Sequence, residues 1–247
     1  MRLIIIIFLF ASNIILAQEN SGTIKYIVSH DWLKKRKSSE FITEKELEMS
    51  DYVWGDGNVY KEYSTLRFNP TSSIYQETDE SVDDYSTYSW RTAEYLIYRD
   101  IKENTTYDVI RMQNKLYVIE DSIQYPQWKI LNGMREIAGH ICMNAYYRDT
   151  LRNKDVIAWF ALDMPMPYGP DRYGGLPGLI LEVDENNGAV IISASTITMS
   201  EENIVLEKPI HKKKVKKVTE KEFTEVIEKI IEENRKLKRP YFYSIRY

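Results

Sequence analysis

The chain has 247 residues and a formal net charge of −4, and 13% of its residues are aromatic, including 19 tyrosines and 5 tryptophans. This mild acidity argues against a nucleic-acid-binding protein, because such proteins carry a strong basic footprint. The single cysteine, Cys142, excludes an internal disulfide, so packing must stabilise the fold.

Residues 3–16 form an apolar run, broken only by Ser12 and Asn13, after a positive charge at Arg2. A basic start, an apolar run and a small residue before the cleavage point, here Ala17, are typical of a secretory signal peptide. An uncleaved membrane anchor is the alternative, but the run is shorter than the ~20 residues that span a bilayer. We therefore expect cleavage between Ala17 and Gln18. The product would be periplasmic or secreted, with a single β-rich domain over residues 18–247 and no transmembrane segment.

Short apolar and β-branched stretches predict strands through the first half of the chain. They fall at residues 23–28, 60–68, 73–75, 95–98, 107–112 and 115–119. A charged stretch at residues 31–51 is expected to be irregular or helical, and residues 55–58 are expected to form a turn. Residues 79–89 are acidic and poor in aliphatic side chains, so we expect a long mobile loop there.

Strands continue in the second half at residues 128–130, 141–147, 156–162, 179–183 and 189–195. Two spacings indicate hairpins. Gln113 and Asn114 alone separate one pair of strands, and an Asn-Gly dipeptide at Asn187 and Gly188 lies between another pair. Regularly spaced short strands with turns between them predict a mainly β fold, in which an antiparallel sheet curves into a half-barrel or bowl.

One helix is predicted at the end of the chain. Thr219 and Glu222 have the spacing of a capping box, in which each side chain binds the backbone amide of the other residue. Apolar residues then recur at helical spacing on one face. They are Phe223, Val226, Ile227, Ile230, Ile231 and Leu237. We expect the helix to pack against one side of the sheet and to bury Phe223, Ile227, Ile230 and Ile231.

Residues 164–178, which we call the Gly/Pro corner, contain four prolines and four glycines just before an apolar strand. Glycine permits a positive φ and the close approach of another segment. We expect at least one of Gly174, Gly175 and Gly178 to show one of these features. Two interpretations stay open, an architectural bend and a recognition loop. As a binding site the corner would comprise Tyr168, Arg172, Tyr173, Gly174, Gly175, Leu176, Pro177 and Gly178.

Residues 175–180 read Gly-Leu-Pro-Gly-Leu-Ile, the hexapeptide that names the GLPGLI family of secreted Bacteroidetes proteins. Further segments also resemble that family, at residues 117–121, 128–130, 137–139, 158–160, 164–165 and 169–170, and at Cys142. The family has no established general activity. The resemblance implies similarity to a bowl-shaped module at the N-terminus of certain bacterial peptide N-glycosidases, which accompanies their catalytic domains. It therefore favours a binding or accessory role, with an outer-membrane transporter as one envelope partner that it loosely implies.

Two pairs of residues are candidates for catalysis. His140 and Cys142 share one face of a predicted strand, but neighbours on one strand rarely have the geometry of a nucleophilic pair. A buried structural thiol is the favoured interpretation of Cys142. Asp163 and Asp171 flank the proline-rich segment and could form the paired carboxylates of a glycoside hydrolase. Signatures of serine hydrolases, phosphate-binding loops and dinucleotide-binding folds are absent from the sequence.

Soft side chains near the Gly/Pro corner raise the question of a copper(I) site. They are Met143, Met164 and Met166, together with His140 and Cys142. Methionine is more often a core filler, and no compact spacing of metal ligands accompanies these residues. We expect neither a metal nor another cofactor.

The most basic run consists of Lys212, Lys213, Lys214, Lys216 and Lys217. It could attract anionic lipid or a polyanionic glycan. Lysines that protect an unpaired edge strand from aggregation are the favoured explanation.

Two functional classes remain. The leading hypothesis is an exported, non-catalytic envelope protein that binds a small molecule, a glycan or a partner protein. Its basis is a curved sheet rich in tyrosine and tryptophan, with a shaped loop beside it. The alternative is a hydrolase that acts on glycans or peptides through carboxylates such as Asp163 and Asp171. An acid–base pair of carboxylates about 5–10 Å apart would favour the hydrolase.

Overall fold

A computed structural model describes residues 21–54, 59–81, 94–210, 215–241 and 244–245. Several sequence predictions lie outside these described residues. They are the signal peptide at residues 1–17, the turn at residues 55–58, residues 82–89 of the expected loop, and Lys212, Lys213 and Lys214.

Twelve strands and three helices occur in the described residues. The strands are β1 (Ser21–Asp31), β2 (Val59–Phe68), β3 (Ser72–Ser81), β4 (Tyr95–Asp100), β5 (Thr105–Met112), β6 (Lys115–Ser122), β7 (Lys129–Ile137), β8 (His140–Asp149), β9 (Lys154–Ala161), β10 (Ile180–Glu185), β11 (Val190–Ser200) and β12 (Lys216–Val218). The helices are α1 (Trp32–Lys37), α2 (Glu44–Trp54) and α3 (Glu220–Lys236). The prediction of a loop is wrong at residues 79–81. These residues belong to β3, because the pairing of β3 with β2 extends to Ser81.

The strands form one mixed sheet in the order β12-β6-β5-β4-β3-β2-β1-β11-β10-β9-β8-β7. Neighbours pair antiparallel except at one edge, where β12 runs parallel to β6. The sheet is therefore antiparallel as expected, apart from this one edge pairing. The chain returns to β12 only after it has passed through β7 to β11, so no hairpin turn imposes an antiparallel pairing there.

The link between β6 and β7 requires the sheet to curve. The two strands lie ten positions apart in the sheet order, which in a flat sheet would separate them by about 48 Å. Residues 123–128 join them and can span at most about 25 Å. The two ends of the sheet therefore approach each other, and the expected curved sheet with a C-terminal helix packed against it is confirmed.

The core lies on the concave side of this sheet. Ile24, Tyr26 and Val28 of β1 are fully buried there, and they belong to one hydrophobic cluster with side chains of the Gly/Pro corner and α3. Helix α3 starts with the predicted capping box of Thr219 and Glu222. Four residues of its apolar face are buried as expected: Phe223, Ile227, Ile230 and Ile231. Corner and helix thus fill the bowl from its open side.

A second cluster lies on the other side of the sheet. It joins outward residues of β3 to β6 with Leu206, which belongs to the segment between β11 and β12. Strand β5 is consequently buried along most of its length, because both of its faces are covered. None of the helices in the described part of the chain is long and apolar enough to cross a membrane.

The two predicted hairpins form with left-handed turn residues. Gln113 and Asn114 have φ values of 47° and 61° between β5 and β6, as a two-residue turn of type I′ requires. Between β10 and β11, Asn187 and Gly188 have φ values of 55° and 86°. Both turns confirm the hairpins expected from the sequence.

Candidate functional site

The Gly/Pro corner is mostly packed inside the bowl. Tyr168 and Leu176 are buried in the main hydrophobic cluster. Backbone hydrogen bonds hold the corner in shape, from the Gly175 amide to the Pro167 carbonyl at 2.9 Å and from the Ile180 amide to the Tyr168 carbonyl at 2.9 Å. These contacts make much of the corner an architectural element.

The corner glycines occur where a side chain does not fit. A Cβ on Gly178 would lie 2.0 Å from the carbonyl oxygen of Ala161. Gly175 has a φ of +82°, and a Cβ there would lie 2.7 Å from the ring of Tyr125. The expectation of a positive φ or a close approach is therefore confirmed.

A cavity of about 360 Å³ lies beside the buried part of the corner, between α3 and the curved sheet. Residues 171–173 of the corner form one wall of it. Strands β4 and β5 line one side of the cavity, and β8, β9 and β10 line the opposite side. Its lining includes four tyrosines, Tyr95, Tyr125, Tyr147 and Tyr173, and apolar side chains such as Leu151, Phe223 and Ile227.

Arg172 connects three parts of the fold at this cavity. Its Nε donates to Oδ2 of the fully buried Asp108 at 3.0 Å, and its guanidinium also binds Glu220 at the start of α3. Asp108 is held from its other side by Arg99, within the sheet. Burial opposes the charge of Arg172, but the carboxylates of Asp108 and Glu220 raise the pKa of the guanidinium above its usual value. The arginine is therefore a fixed cation.

A second ion pair, between Lys154 and Glu185, lies in the lining of the cavity. Lys154 Nζ donates to Glu185 Oε2 at 2.8 Å, and both side chains are nearly excluded from solvent. The Tyr173 hydroxyl donates to the other oxygen of Glu185 at 2.6 Å. Burial, followed by the charge of Glu185, raises the pKa of Tyr173 well above its usual value, so the hydroxyl keeps its proton.

A third ion pair lies at the turn between β8 and β9. Arg152 binds Asp149 at 2.8 Å through both its guanidinium and, at 3.0 Å, its backbone amide. Burial works against the charge of Asp149, but Arg152 outweighs it and lowers the pKa of this carboxyl.

Asp171 is the unusual carboxyl of the cavity. It has a φ of 54°, in the left-handed region that few residues other than glycine, asparagine and aspartate adopt. It accepts a hydrogen bond from the buried Tyr95 hydroxyl, and no ion pair within the described residues reaches it. Burial, and next the charge of Glu185, raise the pKa of Asp171 despite the opposing Tyr95 hydroxyl and the more distant Lys154 and Arg172.

The eight predicted binding residues separate into two groups. Arg172 and Tyr173 line the cavity. The others form the packed part of the corner or its exposed tip, and they are Tyr168, Gly174, Gly175, Leu176, Pro177 and Gly178. Sequence reasoning missed Tyr95, Asp108, Lys154 and Glu185. Asp108 had a detectable signal, since it is an acidic residue between two apolar residues, Tyr107 and Val109, of a predicted strand.

The residues proposed for catalysis do not meet in this cavity. Asp163 lies at the surface, 62% exposed, where its Oδ2 is 2.8 Å from His140 Nδ1, whereas Asp171 lines the cavity. The Cys142 thiol is buried and donates to the His140 carbonyl, and burial raises its pKa to about 11. At neutral pH the thiol is protonated, which agrees with a structural role.

The methionines near the corner pack as core residues. Met164 and Met166 are buried in the main cluster, and Met143 packs against it. The lysine run contributes Lys216 and Lys217 to the edge strand β12, where Lys217 pairs with Glu120 at 2.8 Å. These two lysines therefore lie on an edge strand, as expected, and their protective role stays a prediction.

Comparisons with known proteins relate the chain to a family and to a fold. A family described as "Protein of unknown function (Porph_ging)" matches residues 148–182, which include the β8–β9 turn, the Gly/Pro corner and the start of β10. No curated protein matches significantly. Two structures of PNGF-II, in the C2 and P21 space groups, are 12% identical to the chain, with TM-scores of 0.51 and 0.53. They cover 84% of this chain, which spans about a third of the PNGF-II length (32% and 33%). At this identity the likeness concerns the fold, and the matched family segment includes the cavity wall.

Proposed function

We propose that this protein is an exported binding module that holds one small ligand in the cavity beneath α3. The observation that carries the proposal is the cavity itself. Its volume of about 360 Å³ falls in the range of small-molecule sites. Apolar and aromatic side chains line it together with seven charged residues, and fixed polar groups among apolar ones are what hold a ligand in one orientation.

The charged groups of the cavity are preorganised. Arg172 is held by Asp108 and Glu220, and Glu185 is held by Lys154 and Tyr173. Because these side chains are already ordered, they would lose little conformational entropy when a ligand binds. More of the contact energy would then remain as binding affinity. The same network explains why the site is built from the sheet, the corner and α3 together.

The similarities support a module rather than a self-contained enzyme. The chain spans about a third of PNGF-II, and the matched family has no known function. The hexapeptide at residues 175–180 leads us to keep the GLPGLI resemblance, with its accessory role, as part of the proposal. Under this proposal a partner in the envelope, such as an outer-membrane transporter, would receive or deliver the ligand.

A ligand panel tests the cavity as a binding site. The panel contains D-glucose, D-glucosamine, 2-phenylethanol, 2-phenylethylamine, glycine and benzoate, and binding is followed by ligand-observed NMR. Thr224 lines the cavity from α3, whereas Glu228 is exposed one turn further along the helix. We expect at least one of these six probes to bind. Thr224→Trp should weaken that binding at least tenfold, because the larger side chain fills the cavity. The matched variant Glu228→Trp should bind like the wild type.

Three results would contradict this proposal. The first is that none of the six probes binds at millimolar concentration. The second is that Thr224→Trp binds a probe as well as the wild type does while its circular dichroism shows a folded protein. Turnover of a glycan or peptide panel by the exported protein would instead support the hydrolase alternative. Thr150→Trp, at the exposed turn that also lines the cavity, provides a second filling variant should Thr224→Trp fail to fold.

Export is tested separately. Expression of the full chain in a bacterium that processes signal peptides, followed by intact-mass measurement of the envelope fraction, should give a protein that begins at Gln18. A product that still carries residues 1–17 would favour the membrane anchor.

A further inference from the structure

Among the described residues, the charges that line the cavity do not balance. Three basic residues, Arg152, Lys154 and Arg172, each pair with an acid of the lining. Four acids line the same space: Asp149, Asp171, Glu185 and Glu220. Adding Arg99 and Asp108 from behind the wall leaves the difference unchanged, since these two residues pair with each other. One acid, Asp171, is left without a cation among the described residues.

The position of Asp171 is imposed by the fold. The residue has a left-handed backbone, follows Pro170 in the corner, and is fixed by the hydrogen bond from Tyr95. That hydrogen bond occupies Oδ1 and leaves Oδ2 with no hydrogen bond in the described structure. A carboxyl group held in one orientation at a cavity wall, with one oxygen unused, is suited to a ligand that donates a hydrogen bond.

Resting on the proposed function, we propose that the ligand of this cavity carries a single ammonium group that pairs with Asp171. One added positive charge would balance the lining, because every other acid there already has a partner. The ammonium would donate to the unused carboxylate oxygen and form a charge-assisted hydrogen bond. The residue would thus determine the class of ligand, namely small primary amines such as amino sugars or arylalkylamines.

The tyrosines of the cavity are compatible with the same ligand. Tyr95, Tyr125, Tyr147 and Tyr173 line it together with Phe223. Aromatic rings attract ammonium groups through their negative faces and also provide apolar contact for the rest of the ligand. A carboxylate surrounded by aromatic side chains therefore discriminates an amine from the corresponding alcohol, which lacks the charge.

Amine binding at a pH near or below the pKa of Asp171 should release the proton of this carboxyl. Burial and the nearby Glu185 raise the pKa of Asp171 above its usual value, against the opposing effects of Tyr95, Lys154 and Arg172, so without ligand this carboxyl keeps its proton to a higher pH than an exposed carboxyl does. An ammonium ion stabilises the carboxylate, so it displaces the proton. Amine affinity should consequently fall as the pH is lowered through the pKa of Asp171.

Matched pairs from the panel test this inference on the exported protein. 2-Phenylethylamine is compared with 2-phenylethanol, and D-glucosamine with D-glucose, by calorimetric titration at pH 7 and at lower pH. We expect at least one amine to bind at least tenfold more tightly than its alcohol at pH 7, with this preference shrinking at lower pH. Asp171→Asn should abolish the preference. Asparagine tolerates a positive φ and can still accept from Tyr95, so the fold should persist. The control Asp163→Asn, at an exposed acid, should keep the preference.

The outcomes separate this inference from the proposed function. If a neutral or anionic probe binds in the cavity and neither amine binds more tightly than its alcohol, the ammonium assignment is wrong and the binding module stands. The assignment also fails if a preference for amines survives Asp171→Asn. If no probe of any class binds, both proposals fail.

Discussion

The two parts of the Gly/Pro corner differ in what surrounds them. In residues 174–178 the glycines pack against backbone and aromatic rings, and Gly178 approaches the Ala161 carbonyl too closely for any side chain. In residues 171–173 each side chain instead contacts a polar partner: Tyr95 for Asp171, Asp108 for Arg172 and Glu185 for Tyr173. A single loop therefore serves as packing material on one side and as a cavity wall on the other.

This difference teaches that the rigidity of the packed part positions the polar part. The Trp128 side chain donates to the Gly174 carbonyl at 2.8 Å and so fixes the link between β6 and β7 to the corner. That link is the one that draws the ends of the sheet together. Substitutions in the packed part should therefore destabilise the protein most, whereas substitutions in the polar part should cost less stability and should change the electrostatics of the cavity.

The largest effect is expected for Gly178→Ala. The new Cβ would lie 2.0 Å from a backbone oxygen that cannot move without breaking the pairing of β9 with the corner. We expect the free energy of unfolding to fall by more than about 3 kcal/mol, measured by chemical denaturation. Gly139→Ala is the control, since Gly139 has a φ of +84° but nothing within 4 Å. It should cost only about 1–2 kcal/mol, the strain of the left-handed backbone alone. If the two variants lose the same free energy of unfolding, the close approach at Gly178 does not limit the stability of the packed part.

An intermediate effect is expected for Arg172→Met. The change keeps the apolar stem but leaves Glu220 without this partner and removes one of the two arginines that pair with Asp108. Because the Arg172 side chain is 24% exposed, we expect a loss of about 2–3 kcal/mol, below the range for fully buried pairs. Arg148→Met breaks an exposed pair with Asp155 and should cost less than about 1 kcal/mol. A similar cost for both would mean that the cavity network does not stabilise the fold.

The smallest effect, and of opposite sign, is expected for Asp171→Asn. Its pKa is raised in the folded state, so its stabilising contribution is present at low pH and is lost as the pH rises through that pKa. At pH 7 the wild type carries the cost of a buried carboxylate, which the amide avoids. We expect a higher Tm for Asp171→Asn at pH 7 and a difference that shrinks as the pH is lowered. A lower Tm at pH 7 would show that the carboxylate has a stabilising partner.

The sequence by itself was sufficient to predict the features that depend on residues close to each other in the chain. The hairpin at Gln113 and Asn114, the capping box at Thr219 and the apolar face of α3 all follow from spacings of a few residues, and all are present. The special backbone of the corner was predictable for the same reason, because the glycines encode it locally.

Only the tertiary structure decided where the cavity lies and which charges meet there. Tyr95 and Asp171 are 76 residues apart, and Lys154 and Glu185 are 31 apart, so no local spacing brings either pair together. They meet because the sheet curves until β4 and β5 face β8, β9 and β10 across the bowl, and this curvature depends on the whole strand order. The parallel pairing of β12 with β6 was equally inaccessible to sequence reasoning, since it depends on where a distant segment returns to the edge of the sheet.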